Sequence, residues 1–331
     1  MNKNKNFIKP ITAILLFIIL SSCKNKPEYL EQQIFLMDTV VEITLKNTVN
    51  ADKIFHDAFH EMSRVDEEFD RYNNKSFVSR LNNGDMAALT DELLKIIEIS
   101  LSIGDTTYGA FDITVAPLVD LWDFKNSKIP HERQIKNALR FVGYNKIILN
   151  EKSKLVIAKG VKIDLGGIAK GYAIDRAVSV IKEQGMNSAL VNAGGDVFAL
   201  GRKGKRPWKI GIQHPRKSDA LLGVLEVENK AVVTSGDYER FFIKDDKRYH
   251  HIIDPKTGYP AYGLISVTVV ADSAEYADAL STGLFVLGKE RALKLIESLH
   301  DVDVILVTPD MEIIVTDGIK AYFSITKRYK I

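Results

Sequence analysis

Three observations predict an α+β protein. Helix-period apolar patterns and strand-like runs are partly segregated along the chain. Several strand-like runs come in adjacent pairs separated by turn residues, which is the pattern of hairpins. From Ala189 the chain becomes rich in short β-branched runs, where a doubly wound sheet would alternate strand and helix.

Taken in order, residues 34–45 are β-branched and alternate in their second half, so they read as a strand pair or one bent strand. Residues 51–69 carry Ile54, Phe55, Ala58, Phe59, Met62 and Val65 at helical spacing. A polar loop with one aromatic, Tyr72, covers 70–76, and 77–81 is a short helical turn. Residues 90–108 predict a second helix, with Thr90 as N-cap and Gly109 just beyond its end. Pro117 starts a short helix reaching Leu121 and Trp122. Residues 132–141 are helical with Gly143 as a cap, and 146–149 pairs with 155–158 as a hairpin. Lys162, Ile163 and Asp164 then read as a short strand ending in a carboxylate. A glycine turn follows, then a helix from near Ile168 to Gly185. Short strands are expected at 189–192, 197–200, 208–213, 223–227, 230–234, 239–244 and 264–270, with a turn closing 250–258. Two helices, 274–287 and 289–298, precede a final hairpin of 302–307 with 312–316.

The chain has 331 residues and a net charge of +2. Past the N-terminal segment it has no dense basic run, so nucleic acid is excluded as a partner. Lys3, Lys5 and Lys9 precede an apolar run, 11–20, too short to span a bilayer. Leu20-Ser21-Ser22-Cys23 then resembles the bacterial lipobox, in which the Cys becomes the lipidated first residue; a plain signal peptide with an incidental Cys is the other reading. Cys23 is the only cysteine, which leaves no thiol for a disulfide or a thiolate metal site. The expected organisation is a signal peptide over 1–22, a lipidated Cys and tether over 23–28, and one large domain over 29–331. The mature protein is expected to be lipid-anchored in a bacterial membrane with its domain extracytoplasmic (periplasmic).

The glycine turn has two readings. Gly166 and Gly167 let the backbone bend sharply and approach a ligand, and the helix N-terminus beyond them favours an anion, with Asp164 and Lys170 alongside. An ordinary strand-to-helix corner accounts for the same residues. On the helix over 274–287, Asp278, Ser281 and Thr282 share one face. A carboxylate and two hydroxyls suit a hard cation such as Mg²⁺, unless the face is simply polar. His250 and His251 precede an Asp-Pro turn. Asp254 and Thr257 can serve that turn's backbone, or a histidine beside a pocket can orient phosphate or move a proton. Tyr72 can cap the core or stack on a flat ring.

Seven blocks in this order resemble the ApbE-type FAD:protein FMN transferases, extracytoplasmic flavin-transferring lipoproteins. They are Met37-Asp38-Thr39; Tyr72 with Ser79-Arg80-Leu81-Asn82; 109–114; 164–171; 192–196; 251–258; and 278–283. The resemblance spans essentially the whole mature chain. It implies an ApbE-like fold, with largely antiparallel or mixed sheets, packed helices and FAD between the sub-structures. It places Met37, Tyr72, Ala110, Phe111 and Asp112 around the flavin, and Asp164, Lys170 and Ile252 at further FAD contacts. It implies Mg²⁺ held by the main-chain carbonyl of Gly167, the carboxylate of Asp278 and the hydroxyl of Thr282. Ser281 stands where some members carry a second Asp. Mn²⁺ is an alternative ion, since both accept oxygen ligands.

The implied reaction moves the FMN moiety of FAD to a Thr or Ser hydroxyl of another protein and releases AMP. Asp278, His251 and Lys170 are its catalytic candidates. The implied acceptors are flavoprotein subunits of membrane redox complexes or periplasmic reductases. Two other readings use the same pocket: a metal-dependent FAD pyrophosphatase giving FMN and AMP, and a lipoprotein that only binds flavin.

Overall fold

The chain enters its fold through a tight hairpin, β1 (Tyr29–Leu36) and β2 (Thr39–Lys46), paired antiparallel. Met37 and Asp38 between them take left-handed φ of 52° and 58°, and a two-residue turn of that hand matches the twist of the strands. The 34–45 region is therefore a strand pair. The structure is a computed structural model that describes residues 28–149 and 155–326; the signal segment, Cys23 and the tether up to Pro27 lie outside the described residues.

Helix α1 (Ala51–Phe69) buries Ile54, Phe55, Ala58, Met62 and Val65, the face its spacing predicts. After α2 (Phe77–Asn82) comes α3 (Asp91–Thr106), whose cap Thr90 accepts a hydrogen bond from Leu93 N at 3.1 Å. Short helices α4 (Ala116–Val119) and α5 (Glu132–Leu139) lead to the hairpin β3 (Ile147–Leu149) and β4 (Leu155–Ile157). Then follow α6 (Ala169–Glu183), β5 (Ala189–Ala193), β6 (Asp196–Leu200), β7 (Trp208–His214), β8 (Lys217–Val227), β9 (Lys230–Gly236), β10 (Phe241–Lys244), β11 (Lys247–His250) and β12 (Ser266–Ala271). The chain ends in α7 (Ala274–Ile296), β13 (Asp303–Val307), β14 (Ile313–Val315) and β15 (Phe323–Ile325). Gly288 breaks α7 with φ 72° and ψ 172°, so the two helices read from the sequence are present end to end.

Eight strands form one antiparallel sheet in the order β1-β2-β5-β6-β9-β12-β13-β14. Strand alternation divides its side chains between two cores. Ala231 and Val233, Val267 and Val269, and Val304 and Leu306 face the helices α1, α3, α6 and α7. Val232, Val270, Ile305 and Val307 face the small sheet β15-β8-β7 on the other side. Covered on both faces, β12 is buried at all six positions, whereas β7 alternates buried and exposed. A third apolar cluster joins Leu118, Trp122 and Ile135 to Phe242 of the β10–β11 hairpin. Among the described residues no helix is long and apolar enough to cross a membrane.

The strand expected at 162–164 does not form. Its ladder is replaced by one side chain: Asn82 Nδ2 donates to Ile163 O at 2.8 Å, and Ile163 N donates to Asn82 Oδ1 at 2.6 Å. Asp164 N donates to Ile113 O at 2.7 Å. A lone asparagine can satisfy both polar groups of one residue but cannot extend a ladder. Strands β11 and β15 also go unread, the first because 247–250 lacks a β-branched run and the second because it is three residues long.

Helices α6 and α7 cross with their backbones in contact. A Cβ on Gly171 would stand 2.2 Å from Ala274 O and 2.8 Å from Asp278 Cβ, too close for any side chain. Gly171→Ala is expected to lower stability by about 1–3 kcal/mol through forced separation of the helices. Gly185→Ala, in open space but at φ +81°, is expected to lose about 1–2 kcal/mol from backbone strain alone. Urea unfolding of both, with binding of divalent cation as a second readout, separates the two effects. Only the Gly171 variant should lose binding.

Candidate active site

The site is assembled where the first turn of α6 meets α7. An N-terminal helix amide has no partner within its own helix. In α6 that of Gly171 donates to Asp278 Oδ2 at 2.9 Å, so the anion expected at this helix end is supplied by the protein itself. Asp278 is 6% exposed. Burial, then the nearby Asp196 carboxylate, push its pKa up, while Lys170 and the Gly171 amide hold it down. Asp196, at the start of β6, is also buried and accepts from Lys170 Nζ at 2.5 Å and from Thr234 N at 3.1 Å. Burial works to lower the Lys170 pKa, but Asp196 and Asp278 outweigh it and hold the ammonium above its ordinary value.

Hydroxyls continue the cluster along α7. Thr282 Oγ1 lies 3.2 Å from Ser235 Oγ, on β9. Ser281 is fully buried; its hydroxyl donates to Asp278 O at 2.9 Å and lies 2.8 Å from Ser235 Oγ. Gly167 sits across from Thr282. Gly166 and Gly167 are the central residues of a tight turn closed by Ile168 N donating to Leu165 O at 3.0 Å, made without a left-handed φ at either. A Cβ on Gly167 would stand 3.2 Å from the Phe111 ring and 3.8 Å from Thr282 Oγ1, so its use is room beside the hydroxyl.

His251 stands beside these charges without adding one. Its Nδ1 is buried and has no hydrogen-bond partner among the described residues. Burial, then His250, Arg240 and Lys170, push its pKa down to about 4, so it is neutral near pH 7. His250 is committed to structure: its Nε2 lies 2.8 Å from Ala261 O, and Ile252 N donates to its Nδ1 at 3.3 Å. Ile252 is buried and accepts from Ala261 N through its carbonyl. Asp254 and Thr257 serve the turn, as their bland reading expects.

Other expected residues stand around this centre. Met37 N donates to Asp66 Oδ2 at 3.4 Å, and Asp38 beside it accepts from Arg240 Nη2 at 3.1 Å. Arg240 O in turn accepts from His251 N, which ties the hairpin tip to the histidine segment. Tyr72 is exposed and lies beneath the Arg71 guanidinium, 4.2 Å from ring centre to Cζ. Arg71 pairs with Asp120 at 2.7 Å and approaches Asp164 at 2.8 Å without an aligned hydrogen bond from Nε. Asp164 Oδ1 also accepts from Gly166 N at 2.8 Å. Ala110 and Phe111 are buried. Asp112 commits both oxygens to protein: Oδ1 accepts from Thr114 N and Thr114 Oγ1, and Oδ2 accepts from Tyr144 N.

Sequence reading missed Asp196, Ser235, Arg71 and Arg240 as site residues. Asp196 had a signal, since it closes the 192–196 glycine block, and Arg71 adjoins Tyr72. Ser235 and Arg240 carry none, because only the register of β9 and the loop after it bring them here. Two clefts, one around Tyr262 and Glu312 and one around His56 and Glu183, share no residue with the cluster.

Among the described residues no three His, Cys, Asp or Glu side chains are grouped to hold a metal ion. The donors gathered here are instead carboxylate and hydroxyl oxygens beside one lysine, and such a set handles a hard cation or a phosphate. The fold and site thus define a class: an α+β protein with an oxygen-lined, lysine-bearing niche between two helices and a sheet. The chain matches the ApbE family over residues 37–306. It is 31% identical over 314 residues to the FAD:protein FMN transferase of Haemophilus influenzae, covering 88% of this chain and 90% of that one. With the FAD:protein FMN transferase of Escherichia coli it shares 34% identity over 250 residues, 71% of each. The crystal structure of the ApbE protein of Thermotoga maritima has a TM-score of 0.82 to it, with 37% identity, over 89% of this chain and 99% of that one. The flavin transferase ApbE from Vibrio cholerae has a TM-score of 0.79 with 26% identity over the same shares. The chain belongs to the ApbE family.

The depressed pKa of His251 sets a pH dependence. Between about pH 6.5 and 4 the unfolded histidine takes a proton that the folded one refuses, so stability falls as pH drops through that window. His251→Gln removes this contribution. Its urea midpoint is expected to fall less than that of the unmodified chain between pH 7 and pH 5.

Proposed function

We propose that this chain is an FAD:protein FMN transferase that moves the FMN moiety of FAD to a Thr or Ser hydroxyl of a partner protein and releases AMP. One observation carries the reading: Lys170 of α6 and Asp278 of α7, distant in sequence, meet at the N-terminus of α6, with Thr282 one turn further along α7 beside Gly167, in an ApbE-family fold. Its acceptors are flavoprotein subunits of membrane redox complexes or periplasmic reductases.

The oxygen donors fit Mg²⁺, with Mn²⁺ as an alternative. Asp278, Thr282 and the main-chain carbonyl of Gly167 would hold it, with Ser281 behind them through the lone pair its protein partners leave. Bound there, the ion supplies neutralisation of the pyrophosphate and stabilisation of the leaving phosphate. Lys170, fixed by Asp196, adds positive charge to the same oxygens. The acceptor oxygen bonds to the FMN phosphorus, and the bridging P–O bond to AMP breaks. The hydroxyl proton goes to His251, which is neutral near pH 7, or to a carboxylate beside the cation. Met37, Tyr72, Ala110, Phe111 and Asp112 surround the flavin, with Asp164 and Ile252 at further contacts. The Asp112 carboxylate acts from behind, since its oxygens hold the loop backbone.

The test is incubation of the domain with FAD, Mg²⁺ and an acceptor protein. Flavin fluorescence that survives a denaturing gel reports transfer, and AMP formed without acceptor reports hydrolysis. Asp278→Ala is expected to lower transfer at least about a hundredfold, roughly 2.7 kcal/mol of transition-state stabilisation. Full activity in that variant would overturn the site assignment.

The lipobox at Leu20-Ser21-Ser22-Cys23 supports a lipid-anchored mature form with an extracytoplasmic domain. Cys23→Ala is expected to shift the protein from the membrane fraction to the soluble or precursor fraction, read by fractionation and immunoblot.

A further inference from the structure

Helices α6 and α7 cap one another. Asp278 of α7 accepts from Gly171 N in the first turn of α6. One turn beyond Gly171, Asp175 of α6 reaches the start of α7 with both oxygens. Its Oδ1 accepts from Ala274 N at 3.0 Å, and its Oδ2 accepts from Glu275 N and Ser273 Oγ, each at 2.9 Å. Ser273 Oγ also accepts from Tyr276 N at 3.2 Å as the N-cap of α7. Each carboxylate therefore satisfies amides that the other helix cannot satisfy itself.

The two halves of this exchange differ in what else they do. Asp278 is a ligand in the function proposed above, so a bound cation draws on the same carboxylate that holds Gly171. Asp175 commits both oxygens to the start of α7. Asp278 stands four residues after Ala274, and Thr282 four after Asp278, so all three lie on one helix face. A slip of α7 by one residue turns that face by about 100° and takes both oxygens out of the niche. The Gly171–Ala274 approach sets how near the helices lie, but a van der Waals contact does not set rotation about α7.

We infer that Asp175 is the positioning residue that holds the rotation and register of α7, so that Asp278 and Thr282 face the cation site whether or not it is filled. The inference rests on the proposed cation role of Asp278.

The test measures Mn²⁺ affinity by electron paramagnetic resonance in the presence of FAD, together with unfolding midpoints. Asp175→Ala is expected to weaken Mn²⁺ binding by about tenfold or more, the loss typical of residues that orient metal ligands. Asp175→Asn keeps one acceptor oxygen, folds more readily and is expected to lose less. Thr90→Ala is the control: it removes the N-cap of α3 at a comparable stability cost and is expected to leave Mn²⁺ affinity unchanged. Wild-type affinity in the folded Asp175 variants, with Asp278→Ala binding lost, overturns the positioning role alone. Wild-type affinity in Asp278→Ala overturns the cation reading and this inference with it.

Discussion

A single backbone amide with no side chain in its way organises this molecule. Asp278 is a buried carboxylate, and a buried charge is costly unless it is paired and hydrogen-bonded. Gly171 N–H supplies that bond only because glycine lets α6 lie against Ala274. The same crossing brings the α6 residue Lys170 beside the start of β6 and lays α7 along β9 and β12, which places Ser235 against Ser281 and Thr282. Close approach, buried carboxylate and hydroxyl cluster are therefore one constraint seen from three sides.

Charge is distributed in two shells around that crossing. The inner one holds Asp196, Asp278 and Lys170, with neutral His251 near them. Two carboxylates face one ammonium there, so a further positive centre relieves their repulsion and phosphate oxygens gain from the lysine. The outer one is made of Arg71 with Asp120 and Asp164, and Arg240 with Asp38. The Arg240–Asp38 pair is largely exposed and contributes little to stability. Its structural effect is orientation, joining the β1–β2 turn to the segment that carries His251.

Much of the architecture was legible because it depends on local periodicity. The apolar face of α1, the Thr90 cap and the break at Gly288 each follow from neighbours within about four residues. The 162–164 segment misled for a local reason: apolar residues before a glycine pair look like a strand, but the partner is the side chain of Asn82, 81 residues away. In the site, Asp278 and Thr282 were legible from helical spacing, and Lys170 from its place beside the glycines. Ser235 was not, since its only distinction is the register between β9 and β12. At Asp112, expected near the flavin, local sequence gives no sign that both carboxylate oxygens are hydrogen-bonded to Thr114 and Tyr144.

The sequence by itself determined the α+β class, the helix that aligns Asp278 with Thr282, and the family to which seven ordered blocks point. The first two are consequences of spacing along one chain, which bonded geometry converts directly into local structure and a shared face, and the family rests on the resemblance of those blocks. Tertiary structure alone decided that the anion at the α6 N-terminus is Asp278, that Ser281 turns inward, that His251 is held neutral, and that Asp175 caps α7. Each of these depends on what lies across a helix crossing or a strand register, and burial and hydrogen-bond partners exist only once segments a hundred residues apart have packed.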